Sequence, residues 1–363
     1  MKKEFFRYLI VQVLIIGLIA FAMIFADPYF HFHAPISFLK YEISEERYVN
    51  DGISRNFSFN GLITGTSMNQ NFKTSQAEEL FGGNFVKETF SGGAFMEIAS
   101  NLSRTIERNS NLDIVIWGLD YNGLRRQYDY QAYSKYPEYL YDDNVLNDVN
   151  YIFNKDILYK GFVSTLWRTL KGEETTTFDE YSAWTSEHGF AHIIESYDRE
   201  AYRENSGYSF YGPIDPDREL ELTYENITKN LIPVIEQNPD ITYYFFYSPY
   251  CILYWDSLYL DGAIEVQLEA EEMTSNLLLQ YPNVRLYSFY ENTDLICDLD
   301  LYRNKEHYIA EVNSMILNWI SKNEYRITQE NLSEHMEKMR EIYESFDYEG
   351  FYNSCMEDMV SNS

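Results

Sequence analysis

Residues suited to acyl-transfer chemistry occur at four places, each where a buried strand is expected to end. Ser67 closes the apolar stretch NGLITGTS, and the glycines Gly92–Gly93 follow NFVKETF. Asp120 and Asn122 follow LDIVIWGL, and His307 comes late in the chain, after NVRLYSFY. A serine beside a histidine can act as a nucleophile with its base, and glycine amides can donate hydrogen bonds to an oxyanion. Jointly these residues predict a serine acyl-transfer site, whereas Ser67 alone could be an ordinary turn residue.

The elements that would position these groups alternate between strand and helix. Short apolar segments bounded by turn residues predict buried strands, and amphipathic segments of helical spacing lie between most of them. This alternation is typical of a parallel sheet covered by helices on both faces, so we predict a three-layer α/β/α domain over residues 55–323. Ligands bind at the carboxyl ends of strands in such sheets. The predicted strands are 59–67, 84–90, 112–120, 241–249 and 283–290, and the predicted helices are 93–108, 222–237, 263–280 and 308–321.

Two segments interrupt this alternation. Residues 124–220 contain thirteen tyrosines and many acidic residues but no strong strand signal. A structureless loop of that length is uncommon, so we predict a mainly helical insertion at the carboxyl edge of the sheet, beside Ser67. Residues 324–363 are predicted to form a polar amphipathic helix and a tail, with His335 at the surface.

The first 26 residues form a separate unit. Three cationic residues precede an apolar run over residues 9–26, which is about long enough to cross a bilayer as a helix. The cationic flank predicts a single-pass cell-membrane protein whose large domain is extracytoplasmic, joined to its anchor by a spacer at 27–54. A cleaved signal peptide is the alternative, because Ala20 and Ala22 have the spacing of a cleavage site.

The overall charge excludes one class of partner. The formal net charge is −29, which repels nucleic acid, so we predict no nucleic-acid function. Aromatic residues make up 17% of the chain, with 34 tyrosines, and tyrosine suits stacking on sugars or on partners. The three cysteines have no metal-like spacing, and we predict neither a metal nor a cofactor.

In this order the motifs resemble those of the SGNH (GDSL-like) hydrolase superfamily. They are most similar to its membrane-anchored cell-envelope branch, which includes the D-alanyl-transfer protein of the teichoic-acid pathway and alginate-type O-acetyltransferases. The resemblance covers about residues 58–320 apart from the insertion, and it implies a flavodoxin-like sheet. It further implies that Gly65–Ser67 is the nucleophile turn and that His307 is the base. The oxyanion donor would be Gly92 or, in second place, Gly93.

Two positions depart from the pattern of that family. Asp120 stands where the family has an asparagine, and an ionised carboxylate has no proton to donate to an oxyanion. Either Asn122 takes that role, or Asp120 serves another purpose, such as holding a substrate hydroxyl or a cation. Asn304 stands where the family has the aspartate that orients the histidine. Glu306 and Asp300 are nearby carboxylates that could replace it, and the sequence does not choose among the three.

The resemblance implies an esterase or O-acyltransferase that acts on acyl esters of cell-envelope glycans or teichoic acids. It also leaves room for a membrane partner in acyl transfer. The alternative is a non-catalytic envelope protein of the same fold that binds glycan or a membrane partner through its tyrosine-rich insertion. The sequence does not decide between hydrolysis and transfer.

Overall fold

A six-stranded β-sheet forms the centre of the fold in the computed structural model, which describes residues 2–209 and 212–362. The strands, in chain order, are β1 Gly61–Gly65, β2 Phe85–Thr89, β3 Ile114–Leu119, β4 Thr242–Tyr247, β5 Val284–Ser288 and β6 Arg326–Ile327. Their order across the sheet is β2-β1-β3-β4-β5-β6, and every neighbouring pair is parallel except β5 with β6. The five predicted strands are therefore confirmed, and β6 is an additional antiparallel edge strand.

The inner strands carry buried apolar side chains on both faces of the sheet. Leu62 and Ile63 of β1 and Val115 and Ile116 of β3 are fully buried, although successive side chains of a strand point to opposite faces. Burial on both faces explains why these strands are continuous apolar runs rather than alternating patterns. Because β1 lies between β2 and β3, its carboxyl end is flanked on both sides by the carboxyl ends of neighbouring strands.

Helices pack around the sheet in two groups. The main helices are α1 Lys2–Ala26, α2 Glu46–Asn56, α3 Thr74–Phe81, α4 Phe95–Arg108, α5 Pro216–Asn226, α6 Ile252–Asp261, α7 Ile264–Leu278, α8 Ala310–Ser321, α9 Leu332–Ser345 and α10 Tyr348–Asn362. In one group α2 packs on α4, and α5 packs on α7. Helix α5 continues through residues 227–237, which pack on α4. In the other group α3 packs on β2 and α8.

Helix α1 is long and apolar enough to cross a membrane. It has 25 residues, and its most apolar window has a mean hydropathy of 2.8. Nearly all of its side chains are exposed, apart from Met23 and Ala26 near its end. A retained anchor and a signal sequence are both consistent with this helix.

The predicted spacer, residues 27–54, folds onto the domain. Its first residue, Asp27, is buried and accepts hydrogen bonds from the backbone amides of residues 31–33 and from the Tyr151 hydroxyl. Further along, Tyr41 and Val49 are fully buried in the main core. The chain that leaves α1 is therefore attached to the large domain from its first residue.

The insertion contains more irregular chain than the sequence predicts. Its helical pieces are the 3₁₀ turn Glu138–Leu140, Val149–Ile152, the π-helical Ile157–Val163, Ser164–Lys171, Phe190–Ser196 and Arg199–Glu204. A small antiparallel pair joins Tyr208–Ser209 to Gly212–Pro213. Only the stretch from 148 to 172 has sustained helical spacing, and that stretch forms the longest helical run of the insertion. The rest of the insertion has no sustained periodicity of apolar residues, and most of its tyrosines lie in irregular segments.

The carboxyl-terminal segment forms two helices, α9 and α10, rather than one helix and a tail. Helix α9 packs on α7. The prediction that His335 lies at the surface is wrong, because its side chain is buried and contacts Glu271 and Glu291.

Candidate active site

Ser67 lies immediately beyond the carboxyl end of β1. The chain makes a single 3₁₀ turn over Ser67–Asn69, and the Thr66 side chain accepts a hydrogen bond from the amide of Met68 at the start of that turn. Gly65 has a φ of +135°, and a Cβ at that position would lie 2.3 Å from the side-chain oxygen of Asn69. The turn therefore requires a glycine at position 65, and it leaves the Ser67 hydroxyl at the edge of the sheet.

The structure brings Ser67 and His307 together although they are 240 residues apart. Ser67 Oγ lies 2.9 Å from His307 Nε2. His307 lies in irregular chain between β5 and α8, and α8 begins at Ala310, within the predicted helix 308–321. Burial lowers the pKa of His307, and the Arg303 charge adds to this, while Glu306 partly opposes it. The imidazole is therefore neutral near pH 7 and able to accept the proton of Ser67.

Asn304 fixes the tautomer of His307. Its Oδ1 accepts hydrogen bonds from the backbone amides of Glu306 and His307, at 3.0 and 2.8 Å. The same oxygen lies 3.2 Å from His307 Nδ1. Backbone amides only donate, so this atom must be the amide oxygen, and Nδ1 must carry the ring proton. His307 Nε2 then faces Ser67 with its lone pair, which is the form that a general base needs.

The two nearby carboxylates, those of Glu306 and Asp300, accept hydrogen bonds from groups other than the His307 ring. Glu306 Oε1 accepts a hydrogen bond from Asn122 Nδ2 at 3.2 Å, and Asp300 Oδ1 accepts the backbone amide of Phe190 at 2.9 Å. Among the three sequence candidates, and within the part of the chain that the structure describes, Asn304 is the one that accepts a hydrogen bond from the His307 ring.

Gly92 is placed to donate a hydrogen bond into the site. It lines the same cavity as Ser67 and His307, and its φ of +56° is a left-handed conformation that favours glycine. Over residues 2–209 and 212–362, no acceptor is bonded to its amide N–H. The amide of Gly93 already donates to the Phe90 carbonyl at 2.8 Å. The free donor at this position is therefore that of Gly92.

Asp120, at the end of β3, is a buried acceptor rather than a donor. It accepts hydrogen bonds from the Thr66 hydroxyl and, at 3.1 Å, from the Tyr250 hydroxyl. Burial raises the pKa of Asp120 to about 6, although those hydrogen bonds lower it. Near pH 7 Asp120 is therefore mostly ionised, and it holds the residue next to Ser67. Asn122 is two residues further along the chain and contacts Glu306.

Two cavities meet at the Asn122–Glu306 pair. The first, of about 230 Å³, contains Ser67 and His307, and the second, of about 780 Å³, adjoins it. Both are lined by Asn122 and Glu306, and aromatic and charged side chains are among the other residues that line the second cavity. These include Arg125, Tyr202, Tyr254 and Lys305.

Trp184 is a site residue that sequence reasoning missed. Its indole N–H donates to the Ser67 carbonyl at 3.3 Å, and its ring meets that of His307 edge-on, with centroids 5.8 Å apart. Trp184 lies in irregular chain of the insertion, where no periodicity points to it. Tyr250, also missed, follows β4 at the carboxyl edge, so the strand-end rule could have found it.

No family model, no curated protein and no solved structure matches this chain. The function must therefore be argued from the geometry of the site.

Proposed function

We propose that this protein is a membrane-anchored, extracytoplasmic esterase or O-acyltransferase of the SGNH type, acting on acyl esters of cell-envelope glycans or teichoic acids. The observation that carries the proposal is the 2.9 Å contact between Ser67 Oγ and His307 Nε2, with Nδ1 on the Asn304 oxygen. A hydroxyl, a neutral imidazole and an orienting acceptor in this arrangement form an activated nucleophile.

The strand order supports the same assignment. The order β2-β1-β3-β4-β5 is that of flavodoxin-like sheets, and the site lies at the ends of β1 and β3, where the order reverses. We therefore propose a three-layer, flavodoxin-like SGNH arrangement. The apolar α1 helix would hold the domain beside the cell envelope, with room for a membrane partner in acyl transfer.

In the first half-reaction Ser67 is acylated. His307 Nε2 takes the proton from Ser67 Oγ as that oxygen forms a bond to the ester carbonyl carbon. The carbonyl oxygen becomes an oxyanion that accepts hydrogen bonds from the amides of Ser67 and Gly92. When the tetrahedral intermediate collapses, the bond to the alcohol oxygen breaks, and the leaving oxygen takes the proton from His307.

In the second half-reaction an acceptor hydroxyl removes the acyl group. His307 deprotonates water or a glycan hydroxyl, which attacks the acyl carbon, and Ser67 Oγ leaves with the proton that His307 returns. The larger cavity adjoins the site through Asn122 and Glu306, so we assign the acceptor to that side. Tyr202 and Tyr254 line this cavity and offer aromatic faces of the kind that stack on sugar rings.

A fluorophosphonate probe tests this proposal, because it phosphonylates activated serines with loss of fluoride. The purified full-length protein should become labelled, and peptide mass spectrometry should find the adduct on Ser67. His307→Ala should prevent the labelling because the hydroxyl loses its base. A folded protein that is not labelled, or that is labelled at another serine, would favour the non-catalytic alternative, in which the insertion binds glycan or a membrane partner.

A further inference from the structure

The longest helical run of the insertion, residues 157–171, packs against the segment that follows α1. It joins the π-helical Ile157–Val163 to the α-helical Ser164–Lys171. Ile157, Gly161 and Thr165 lie on one face of this 157–171 helix and are buried. A Cβ at Gly161 would lie 2.8 Å from Pro28, two residues beyond the end of α1. The position of the helix relative to α1 is therefore fixed by close packing.

The opposite face of the 157–171 helix exposes large apolar side chains. They are spaced three or four residues apart, so they form one stripe along the helix. Leu170 is 84% exposed and Trp167 is 57% exposed. The members of the stripe are Tyr159, Val163, Leu166, Trp167 and Leu170. A contiguous apolar surface of this kind indicates contact with another apolar phase.

Further exposed apolar residues extend the stripe toward α1. Phe38 is exposed, and its ring lies 6.4 Å from that of Phe25 in the last turns of α1. The short helix Val149–Ile152 also contacts α1 and is flanked by exposed apolar residues. Those residues are Val145, Leu146, Val149 and Phe153. Residues 157–163 also contact α1, so the stripe lies beside the end of the membrane-length helix.

The charge of this segment differs in sign from that of the whole chain. Residues 154–171 contain four cationic residues and one acidic residue, within a chain of net charge −29. Lys171 Nζ lies 4.6 Å from the centroid of the Trp167 ring, at the edge of the stripe. Apolar residues on one face, with lysine, arginine, tryptophan and tyrosine at its borders, are typical of helices that lie in a membrane interface.

We propose that the 157–171 helix lies in the lipid headgroup region of the leaflet at the Ala26 end of α1, with its apolar stripe against the acyl chains. The occupant of the stripe is the bilayer itself. With both α1 and this helix in contact with lipid, the large domain is held at a fixed height and cannot rotate freely about α1. The same insertion carries Trp184 to Ser67, so the site keeps one orientation toward the membrane surface.

Tryptophan quenching in a reconstituted bilayer tests the proposal. The full-length protein is placed in vesicles of phosphatidylcholine and phosphatidylglycerol whose acyl chains carry bromine, which quenches indole fluorescence on contact. Since α1 contains no tryptophan, quenching reports on the large domain alone. We expect Trp167→Phe to remove most of the quenchable fluorescence. The matched control is Trp319→Phe, a half-buried residue beside Phe289 and Tyr325, which should leave the quenching unchanged.

Three results would overturn the proposal. Quenching that Trp167→Phe leaves intact would mean that lipid does not reach the stripe. Strong quenching of Trp167 by aqueous iodide would place the stripe in water. Protection of Trp167 from both quenchers would mean that protein covers it, and loss of that protection on dilution with lipid would identify a second copy as the cover. None of these results bears on the labelling of Ser67, so the two proposals fail separately.

Discussion

His307 is half-buried and His335 is buried, and each has two side-chain partners, but the partners differ in charge. His307 lies between a hydroxyl, that of Ser67, and an amide oxygen, that of Asn304. His335 lies between two carboxylates, with Nδ1 2.5 Å from Glu291 and Nε2 3.3 Å from Glu271. Burial would lower the pKa of either ring. For His335 the hydrogen bonds to the two carboxylates outweigh burial and raise the pKa to about 9, whereas the pKa of His307 is lowered.

This difference in pKa leaves His307 able to accept a proton and keeps His335 as a cation. Near pH 7 His307 is neutral and keeps a lone pair toward Ser67, while His335 carries a charge and can only donate. An aspartate at position 304 would push His307 toward the state of His335. Asn304 keeps the resting imidazole neutral, but it would offer no negative charge to the imidazolium that the proposed attack by Ser67 produces.

The largest effect should follow removal of the proposed nucleophile. Ser67→Ala should lower esterase activity by at least about three orders of magnitude, because the residues of such a site act as a unit. The free energy of unfolding should change by less than about 1 kcal/mol, as expected for a half-buried turn hydroxyl. Ser58→Ala, on the exposed chain before β1, is the matched control for both measurements. Full activity with a large loss of stability would make Ser67 a turn residue only.

The second histidine should show the opposite pattern. His335→Gln should lower the free energy of unfolding by about 3 kcal/mol near pH 6, while activity at low denaturant persists. The folded pKa of His335, about 9, exceeds its unfolded value. Its stabilisation is therefore complete below about pH 6.5 and is lost as the pH rises through 9. Urea unfolding of the detergent-solubilised protein at both ends of this range measures the difference.

His307→Gln is the control, since it should abolish activity and change stability little. An equal loss of stability for His335→Gln at both pH values would mean that packing, and not the ion pairs with Glu271 and Glu291, explains the role of His335.

The two histidines also show what the sequence could and could not predict. The strands were predictable because residues such as Ile63 and Ile116 form apolar runs that are buried on both faces. His307 was predictable because parallel strands bring their carboxyl ends to one edge. His335 was not, because Glu271 and Glu291 are 64 and 44 residues away and no local pattern points to them.

The residue that orients His307 also could not be identified without the structure. From the sequence, Asn304, Glu306 and Asp300 were all candidates for this role, because all three lie in the segment before His307. The conformation of the loop distinguishes them. The Asn304 oxygen accepts hydrogen bonds from two backbone amides, which orient it toward the His307 ring. Trp184 was not predictable for another reason, since irregular chain carries no period that indicates which side faces the site.

A smaller effect should follow when the partner of His307 is given a charge. Asn304→Asp should raise the esterase rate about tenfold, which corresponds to ~1.4 kcal/mol of barrier, because a carboxylate stabilises the imidazolium. The same charge should raise the pKa of His307 and move the acidic limb of the pH–rate profile to higher pH. Asn304→Ala should lower the rate, since the tautomer is no longer held. A harmless Asn304→Ala together with an inactive Glu306→Ala would assign the orienting role to Glu306 instead.

The smallest effect should come from Asp120. Its pKa of about 6 means that it is mostly ionised at pH 8, where a buried carboxylate on the cavity wall repels the oxyanion formed beside Gly92. Asp120→Asn should therefore raise the rate about threefold at pH 8, or about 0.7 kcal/mol, and leave it nearly unchanged near pH 5, where Asp120 is already protonated. Asp300→Asn, which alters a carboxylate on the Phe190 amide, should show no such dependence on pH. If Asp120→Asn instead lowers the rate at every pH, the carboxylate acts mainly by holding Thr66, and the oxyanion depends on the backbone amides alone.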